Sequence, residues 1–331
     1  MQDHATKLPV AILGTGNIGT DLLVKVLRSP ELDCKLFAGR NLGSAGMTKA
    51  TALGVPVSAD GIDSIVERDS EIALVFDATS AEGHLRHAPL LERRGIVSVD
   101  MTPAKIGRMC VPAVNLSSCL NDSNVNMVTC GGQAAIPIAH ALAQVVPHAE
   151  YMETVSNIAA RSAGPATRLN LDEYLRTTEQ GLQHFTGCAE AKAILTLNPA
   201  HPCVLMQTTI MLKTVGVDVD RCRMLVAEAV ATIQKYVPGY RVLVEPKREG
   251  GRLIVMVRVE GLGDYLPRYA GNLDIINCAA IAFAEAKSRH ARSREGFLLT
   301  LEKKIHGRWA GWPIPHACHT AENEKTRKRA G

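Results

Sequence analysis

Apolar residues in the first half of the chain fall in short unbroken runs separated by segments of helical periodicity. Residues 10–14 (VAILG), 34–40 (CKLFAGR), 72–79 (IALVFDAT) and 96–102 (IVSVDMT) are such runs, as expected of strands covered on both faces in a parallel sheet. Between them, residues 21–27 (DLLVKVL) and the stretch near 82–94 space their apolar positions as a helix does. Strands alternating with helices in this way predict a doubly wound α/β sheet. A further β-prone run, 125–129, stops at Cys130; Gly131 and Gly132 follow, and then an apolar helical pattern with Pro137 near its start.

The second half is patterned differently. Residues 148–160, 192–198 and 202–214 read as longer strands, and 217–237 as an amphipathic helix with Val219, Met224, Leu225 and Val230 on its apolar face. Residues 241–246 and 252–261 flank Gly250 and Gly251, a hairpin signal. These elements predict a mostly antiparallel α+β domain. The apolar helical run from Leu273 onward is suited to return to the first domain, and beyond about Arg294 the periodicity fades. The expected organisation is a first domain at 1–130 completed by a helix at 271–290, an α+β catalytic and dimerisation domain at 131–270, and a flexible basic tail at 294–331.

The run at 10–14 leads straight into G-T-G-N-I-G, in which Gly14, Gly16 and Gly19 match the dinucleotide fingerprint with the required strand before and helix after. That makes the first domain Rossmann-type. The strand at 34–40 should end on the residue that reads the adenosine ribose, yet Gly39, Arg40 and Asn41 stand there and no acid does. An arginine at this place accommodates a 2′-phosphate, so NAD and NADP both stay open. Asp77, Ala78, Thr79 and Ser80 end a strand at the sheet's carboxyl edge, where such folds bind ligands; an Asx turn closing the strand explains them equally well. His84 and His87 share a helix face but have no third ligand nearby, so no metal site is expected. Cys110 and Cys119 read as structural.

Cys130 is the candidate nucleophile. It lies where a strand stops and a helix begins, and unpaired N–H groups at a helix N-terminus lower a thiol pKa. Gly131 and Gly132 leave room for a substrate, and their N–H groups are candidates to hold an oxyanion. Residues 161–170 (RSAGPATRLN) form a loop of small residues with two arginines, suited to phosphate or carboxylate contacts or simply to a turn between domains. His201, between Pro199 and Pro202, is a candidate acid/base whose plainer reading is a surface histidine.

Composition narrows the class without naming the reaction. The chain has 331 residues, 46% hydrophobic and 21% charged, which is long enough for two domains and ordinary for a globular enzyme. Its net charge of +4 owes much to Lys325, Arg327, Lys328 and Arg329 in the tail, so no nucleic-acid-binding face is expected. Nine cysteines at irregular spacing fit a reducing cytoplasm, and neither a signal peptide nor a membrane-spanning run is seen.

Taken together, GTGNIGTDLL, VFDATS, NVNMVTCGGQ, SAGPATR, YVPGY and YLPRYAGNLDI resemble the acylating acetaldehyde dehydrogenases, the CoA-dependent enzymes of aromatic meta-cleavage pathways, over residues 8–290. The resemblance implies NAD as cofactor, CoA as co-substrate and Cys130 as nucleophile: the thiolate attacks a short-chain aldehyde, hydride passes to the nicotinamide, and CoA takes the acyl group from the thioester. It also implies dinucleotide contacts at Thr15, Gly16, Asn17 and Ile18, at the loop Ser162, Ala163, Gly164, Pro165, Ala166, Thr167, Arg168, Leu169 and Asn170, and at Asn272. A homodimer, or a hetero-oligomer with 4-hydroxy-2-oxovalerate aldolase, is implied as well. Two other readings stand beside it: a phosphorylating semialdehyde-type dehydrogenase, and a weakly catalytic partner of an aldolase. One departure bears on chemistry, because where better-known members carry an aspartate assigned to assist the thiol, this chain has Thr208.

Overall fold

The computed structural model describes residues 7–164, 168, 170–214 and 216–309, with side chains to residue 293. Residues up to Arg289 form one compact unit. Its first sheet is built from β1 (Leu8–Leu13), β2 (Leu32–Ala38), β3 (Val57–Ser58), β4 (Leu74–Asp77), β5 (Val97–Asp100), β6 (Arg108–Met109) and β7 (Asn124–Asn126). All pairings are parallel and the order is β3-β2-β1-β4-β5-β7-β6. The expected doubly wound sheet is present, and the chain reverses direction across it between β1 and β4. Helices α1 (Asn17–Arg28), α2 (Ala45–Ala52), α3 (Asp63–Val66), α4 (Ala81–Arg93) and α5 (Pro112–Cys119) connect the strands. Val10, Ile12, Phe37 and Phe76 are fully buried, as unbroken apolar runs require when both faces are covered.

The second sheet comprises β8 (Tyr151–Ala159), β9 (Glu190–Asn198), β10 (Met206–Lys213), β11 (Tyr240–Glu249) and β12 (Arg252–Val259), in the order β11-β12-β10-β8-β9. Its pairings are antiparallel except β8 with β9. Burial alternates along β10 and β12 and along β8 as far as Ile158. On the inward face Ile210, Leu212, Val255 and Val257 share a core with Ala134, Ile138 and Leu142 of α6 (Cys130–Ala143). Helices α7 (Leu171–Thr186) and α8 (Val219–Gln234) complete that layer. The final helix, α9 (Gly271–Trp309), packs Ile276, Ala280 and Phe283 into the first sheet's core.

Three expectations change. The run at 125–129 is a strand only through Asn126, because the Asn126 side chain accepts the N–H of Val128 at 2.8 Å and turns the chain, leaving Val128 at φ 60°. Loss of periodicity does not end the helix at 294: it runs to Trp309, while the remainder of the basic tail lies outside the described residues. Beyond the predicted loop at 161–170, residues 171–186 form a helix that the sequence reading passed over. No helix among the described residues is long and apolar enough to cross a membrane.

Candidate active site

Cys130 is the first residue of α6, and everything around it depends on how that helix starts. Asn126 donates to Asp100 Oδ2 at 2.6 Å and to the Thr102 carbonyl at 3.1 Å, so the last residue of β7 is fixed to the strand beside it. Val128 then takes a left-handed conformation that a β-branched residue rarely adopts, a local strain held by its neighbours. Gln133, fully buried in the first turn of α6, donates its amide to the carbonyls of Met127 at 2.9 Å and Cys110 at 2.8 Å and clamps the turn from behind. Thr129 caps the helix by accepting the N–H of Gly132 at 2.8 Å.

A neighbour absent from the sequence reading reaches the nucleophile from α7. The Tyr174 hydroxyl oxygen lies 3.5 Å from Cys130 Sγ and accepts the N–H of Gly131 at 2.9 Å. Its place is set by hydroxyls: Thr178 donates to the Tyr174 carbonyl at 2.8 Å and stands 2.7 Å from Thr129 Oγ1. Since Thr178 uses its one hydrogen on that carbonyl, Thr129 donates to Thr178 while accepting from Gly132. Gly131 is required for this contact, because a Cβ there would collide with the Tyr174 hydroxyl and come within 3.3 Å of Ser156 Oγ.

This arrangement bears on two expectations. The first-turn N–H groups of Gly131 and Gly132 are engaged by Tyr174 and Thr129, so they do not stand free as an oxyanion hole. For the Cys130 thiol, burial pushes the pKa up, against the Tyr174 hydroxyl and the N–H groups of Gly131 and Cys130, which pull it down. Tyr174 is itself raised well above the usual phenol range by burial and by the neighbouring sulfur, so it stays protonated. Cys130 as a residue is half-buried, although burial dominates at its sulfur.

Thr208 lies on the inward face of β10, almost fully buried, with Oγ1 3.0 Å from Ser156 Oγ on β8, its register partner. It is thus one hydroxyl removed from the Gly131 backbone. His201 is exposed in the connection between β9 and β10, and no contact ties it to Cys130 among the described residues. His84 and His87 do not form a metal pair; both turn Nδ1 to Asp77 Oδ2, at 3.0 and 2.8 Å. Asp77 also accepts from the Thr79 N–H and hydroxyl, the Asx turn foreseen as one option. Despite burial, these bonds hold the Asp77 carboxyl below the usual range, whereas burial carries Asp100 up to about 6. His84, between the two, is raised by them against its own desolvation.

The dinucleotide turn has the opposite character. Gly14, at φ 112°, closes β1 so tightly that a Cβ would stand 2.6 Å from the Ala78 carbonyl at the end of β4. At the Gly16 cap of α1 no side chain accepts the first-turn N–H groups, and a Cβ on Gly16 would meet nothing within 4 Å. Thr15 Oγ1 sits 3.2 Å from Ser44 Oγ, Asn17 is exposed, and the Ile18 carbonyl accepts from Asn277 at 3.2 Å. A cleft of about 310 Å³ brings Asn17 together with Arg161, Ser162, Tyr265 and Tyr269. Asn272, buried behind it, donates to the Ser162 carbonyl at 3.5 Å and leaves Oδ1 unpartnered. Open N–H groups at a helix start, space above Gly16 and an unsatisfied buried amide oxygen suit a nicotinamide dinucleotide.

Arg168 folds back on its own loop: its guanidinium donates to the carbonyls of Ala160 and Ala163 and its backbone N–H to that of Gly164, so the cation braces the loop instead of reaching outward. Asn170 caps α7. Pro165, Ala166, Thr167 and Leu169 lie outside the described residues. Buried Lys25, which the sequence reading also missed, contacts Asp21, Asp264 and Asp274 at 2.8, 2.9 and 2.8 Å and ties the 264–270 segment to α1. Asp21 spaced four residues before Lys25 was the available signal for the first of these; its long-range partners had none.

Comparisons with known proteins agree with this picture. Residues 130–267 match the family described as prokaryotic acetaldehyde dehydrogenase, dimerisation. A protein of Spirochaeta aurantia named acetaldehyde dehydrogenase is 57% identical over 86% of this chain and 97% of its own length. One of the same name from Pectobacterium atrosepticum is 53% identical over 84% and 95%. Among solved structures, aspartate semialdehyde dehydrogenase II of Vibrio cholerae superposes with a TM-score of 0.55 at 15% identity, over 87% of this chain and 99% of that one, which shows the shared fold alone. The chain belongs to the prokaryotic acetaldehyde dehydrogenase family, oxidoreductases that act on aldehydes.

Proposed function

We propose that the protein oxidises acetaldehyde or a similarly short aldehyde to the acyl-CoA, with NAD as cofactor and Cys130 as the acyl carrier. The observation that carries this reading is the placement of a partly exposed cysteine at the start of α6, in a family of aldehyde dehydrogenases. Cys130 Sγ adds to the aldehyde carbon to give a thiohemiacetal, and after oxidation the sulfur holds the acyl group as a thioester until the CoA thiol displaces it. Bound nicotinamide supplies the hydride acceptor. The residues assigned to hold it are Thr15, Gly16, Asn17 and Ile18 at the start of α1, the loop from Ser162 to Asn170, and Asn272.

In the same reading residues 1–130 with 271–290 form the dinucleotide domain and 131–270 the catalytic and dimerisation domain. The outward face of the second sheet, where half-buried residues alternate along β8, β10 and β12, joins two copies. An aldolase partner of the 4-hydroxy-2-oxovalerate type rests on the resemblance and is tested by co-purification. The decisive assay incubates purified protein with acetaldehyde, NAD or NADP, and either CoA or phosphate. CoA-dependent reduction of NAD is expected. Reduction that requires phosphate and ignores CoA overturns the reading, and a preference for NADP reassigns Arg40 to a 2′-phosphate.

A further inference from the structure

We propose that Tyr174 is a catalytic residue of this chain, its hydroxyl donating to the Cys130 sulfur as the thiol ionises and so doing by anion stabilisation what a carboxylate at the Thr208 position would do as a base. The proposal rests on Cys130 being the nucleophile. Its physical basis is the direction in which the phenol is held. A tyrosine hydroxyl has one hydrogen and two acceptor sites. The Gly131 N–H, 2.9 Å away, occupies one acceptor site, and the sulfur at 3.5 Å is within reach of the rotating hydrogen, with the Thr129 hydroxyl the other neighbour of the phenol. While Cys130 is a thiol, S–H donates to the phenol oxygen. When it ionises, the proton passes to water, and the phenol hydrogen turns to the thiolate. The tyrosine keeps its own proton throughout.

No other group in reach is suited to the task. Thr208 is bonded to Ser156 and neither hydroxyl carries charge; Thr129 from the preceding turn is occupied with Gly132 and Thr178. Among the described residues, the side-chain partner recorded for the sulfur is the Tyr174 hydroxyl. Among the described residues, the phenol of α7 is the titratable group that faces the sulfur, the hydroxyls of Ser156 and Thr208 on β8 and β10 approach the Gly131 end, and α6 contributes N–H groups. A neutral donor is also the chemically sound choice in a buried site, since a carboxylate beside the thiolate would repel it once the proton had gone. Hydrogen bonds to a charged acceptor are the stronger kind, and sulfur in its anionic form gains one here that the thiol form lacks.

The test reads the sulfur directly. The pH dependence of Cys130 alkylation by iodoacetamide is followed by peptide mass in the wild type, Tyr174→Phe and Thr208→Val, with near-ultraviolet circular dichroism verifying the fold. In Tyr174→Phe the alkylation midpoint is expected to rise by about one pH unit, and the acid limb of kcat/KM to move with it. In Thr208→Val the midpoint is expected to stay in place. Replacing Tyr174 by a trifluorinated tyrosine, which keeps the shape and sharpens the donor, is expected to lower the midpoint; this variant decides the matter where the phenylalanine protein does not fold. An unchanged midpoint in the phenylalanine or the fluorinated protein overturns the role of Tyr174 while leaving Cys130 as nucleophile. Retained acyl-CoA formation in Cys130→Ala overturns the nucleophile itself, so the two failures are distinguishable.

Discussion

The molecule uses the same local device twice, a strand that stops at a turn and feeds the N-terminus of a helix, and finishes the two in opposite ways. At α1 the cap is Gly16, whose side is bare and whose helix-start N–H groups have no side-chain acceptor. At α6 the cap is Thr129, and the first N–H groups already belong to Thr129 and Tyr174. A helix start left open has unsatisfied donors and positive potential to offer an anion from outside. A helix start filled from within offers geometry: its donors are consumed in fixing one sulfur and one phenol. The difference teaches that a strand–turn–helix pattern in a sequence names a place for chemistry without saying whether the helix dipole acts on a ligand or on the protein's own side chains.

Between the two turns runs a buried polar bridge. Ala78 closes over Gly14, Asp77 beside it holds His84 and His87, His84 Nε2 lies 3.7 Å from Asp100, and Asp100 holds Asn126, whose side chain shapes the turn before Cys130. Breaking it gives the largest effect. Asp77→Asn leaves two imidazoles without their carboxylate and is expected to cost about 3 kcal/mol, read by denaturant unfolding. The pH dependence follows from the two shifts. The raised His84 contributes stability that is fully present below its ordinary pKa of about 6.5 and is lost as pH climbs through its folded value. The lowered Asp77 contributes stability present above about 3.9 that is lost as pH falls through its folded value. The gap between wild type and variant is therefore widest between about pH 4 and 6.5 and narrows on both sides; a gap that is flat in pH refutes an ionic origin.

A sharper contrast comes from making one substitution at both helix starts. Alanine at Gly131 drives its Cβ into the Tyr174 hydroxyl and Ser156, so the phenol is displaced and kcat/KM is expected to fall by about a hundredfold. Alanine at Gly16 meets no atom within 4 Å and is expected to leave the unfolding midpoint essentially unchanged. It occupies space meant for the dinucleotide, so the dissociation constant for NAD, measured by fluorescence titration, is expected to rise about tenfold. If both alanines acted alike, the distinction between an open and a filled N-terminus would fail.

Much of this was legible in the sequence, for reasons that differ by region. The first sheet announced itself because strands buried on both faces must be unbroken apolar runs, and G-T-G-N-I-G encodes backbone demands that only glycine meets at Gly14 and Gly19. Cys130 stood out by its neighbours Gly131 and Gly132. Tyr174 did not, although Asp172 and Glu173 in the first turn and left-handed Gly187 at the end mark its helix by ordinary signals. The contact itself, 44 residues away in sequence, is made by tertiary packing and left no local trace. The same holds for the sign of the thiol shift: a helix start predicts lowering, and only the packing around the sulfur reveals that burial outweighs it.

Thr208 measures how narrow the filled site is. Its methyl and hydroxyl lie on the inward face of β10, with Ser156 as the polar contact, and it is nearly inaccessible to solvent. Thr208→Val preserves shape and removes one hydrogen-bond partner, so it is expected to cost about 1 kcal/mol of unfolding free energy, the smallest of these effects. Because Ser156 lies between it and the Gly131 backbone, the change should reach the sulfur only weakly, and kcat/KM for acetaldehyde should stay within about twofold of wild type. A loss as large as that of Gly131→Ala would mean that the hydroxyl of Thr208 acts on the reacting centre through Ser156, and the division between a phenol that touches the sulfur and a threonine that supports the sheet would have to be redrawn.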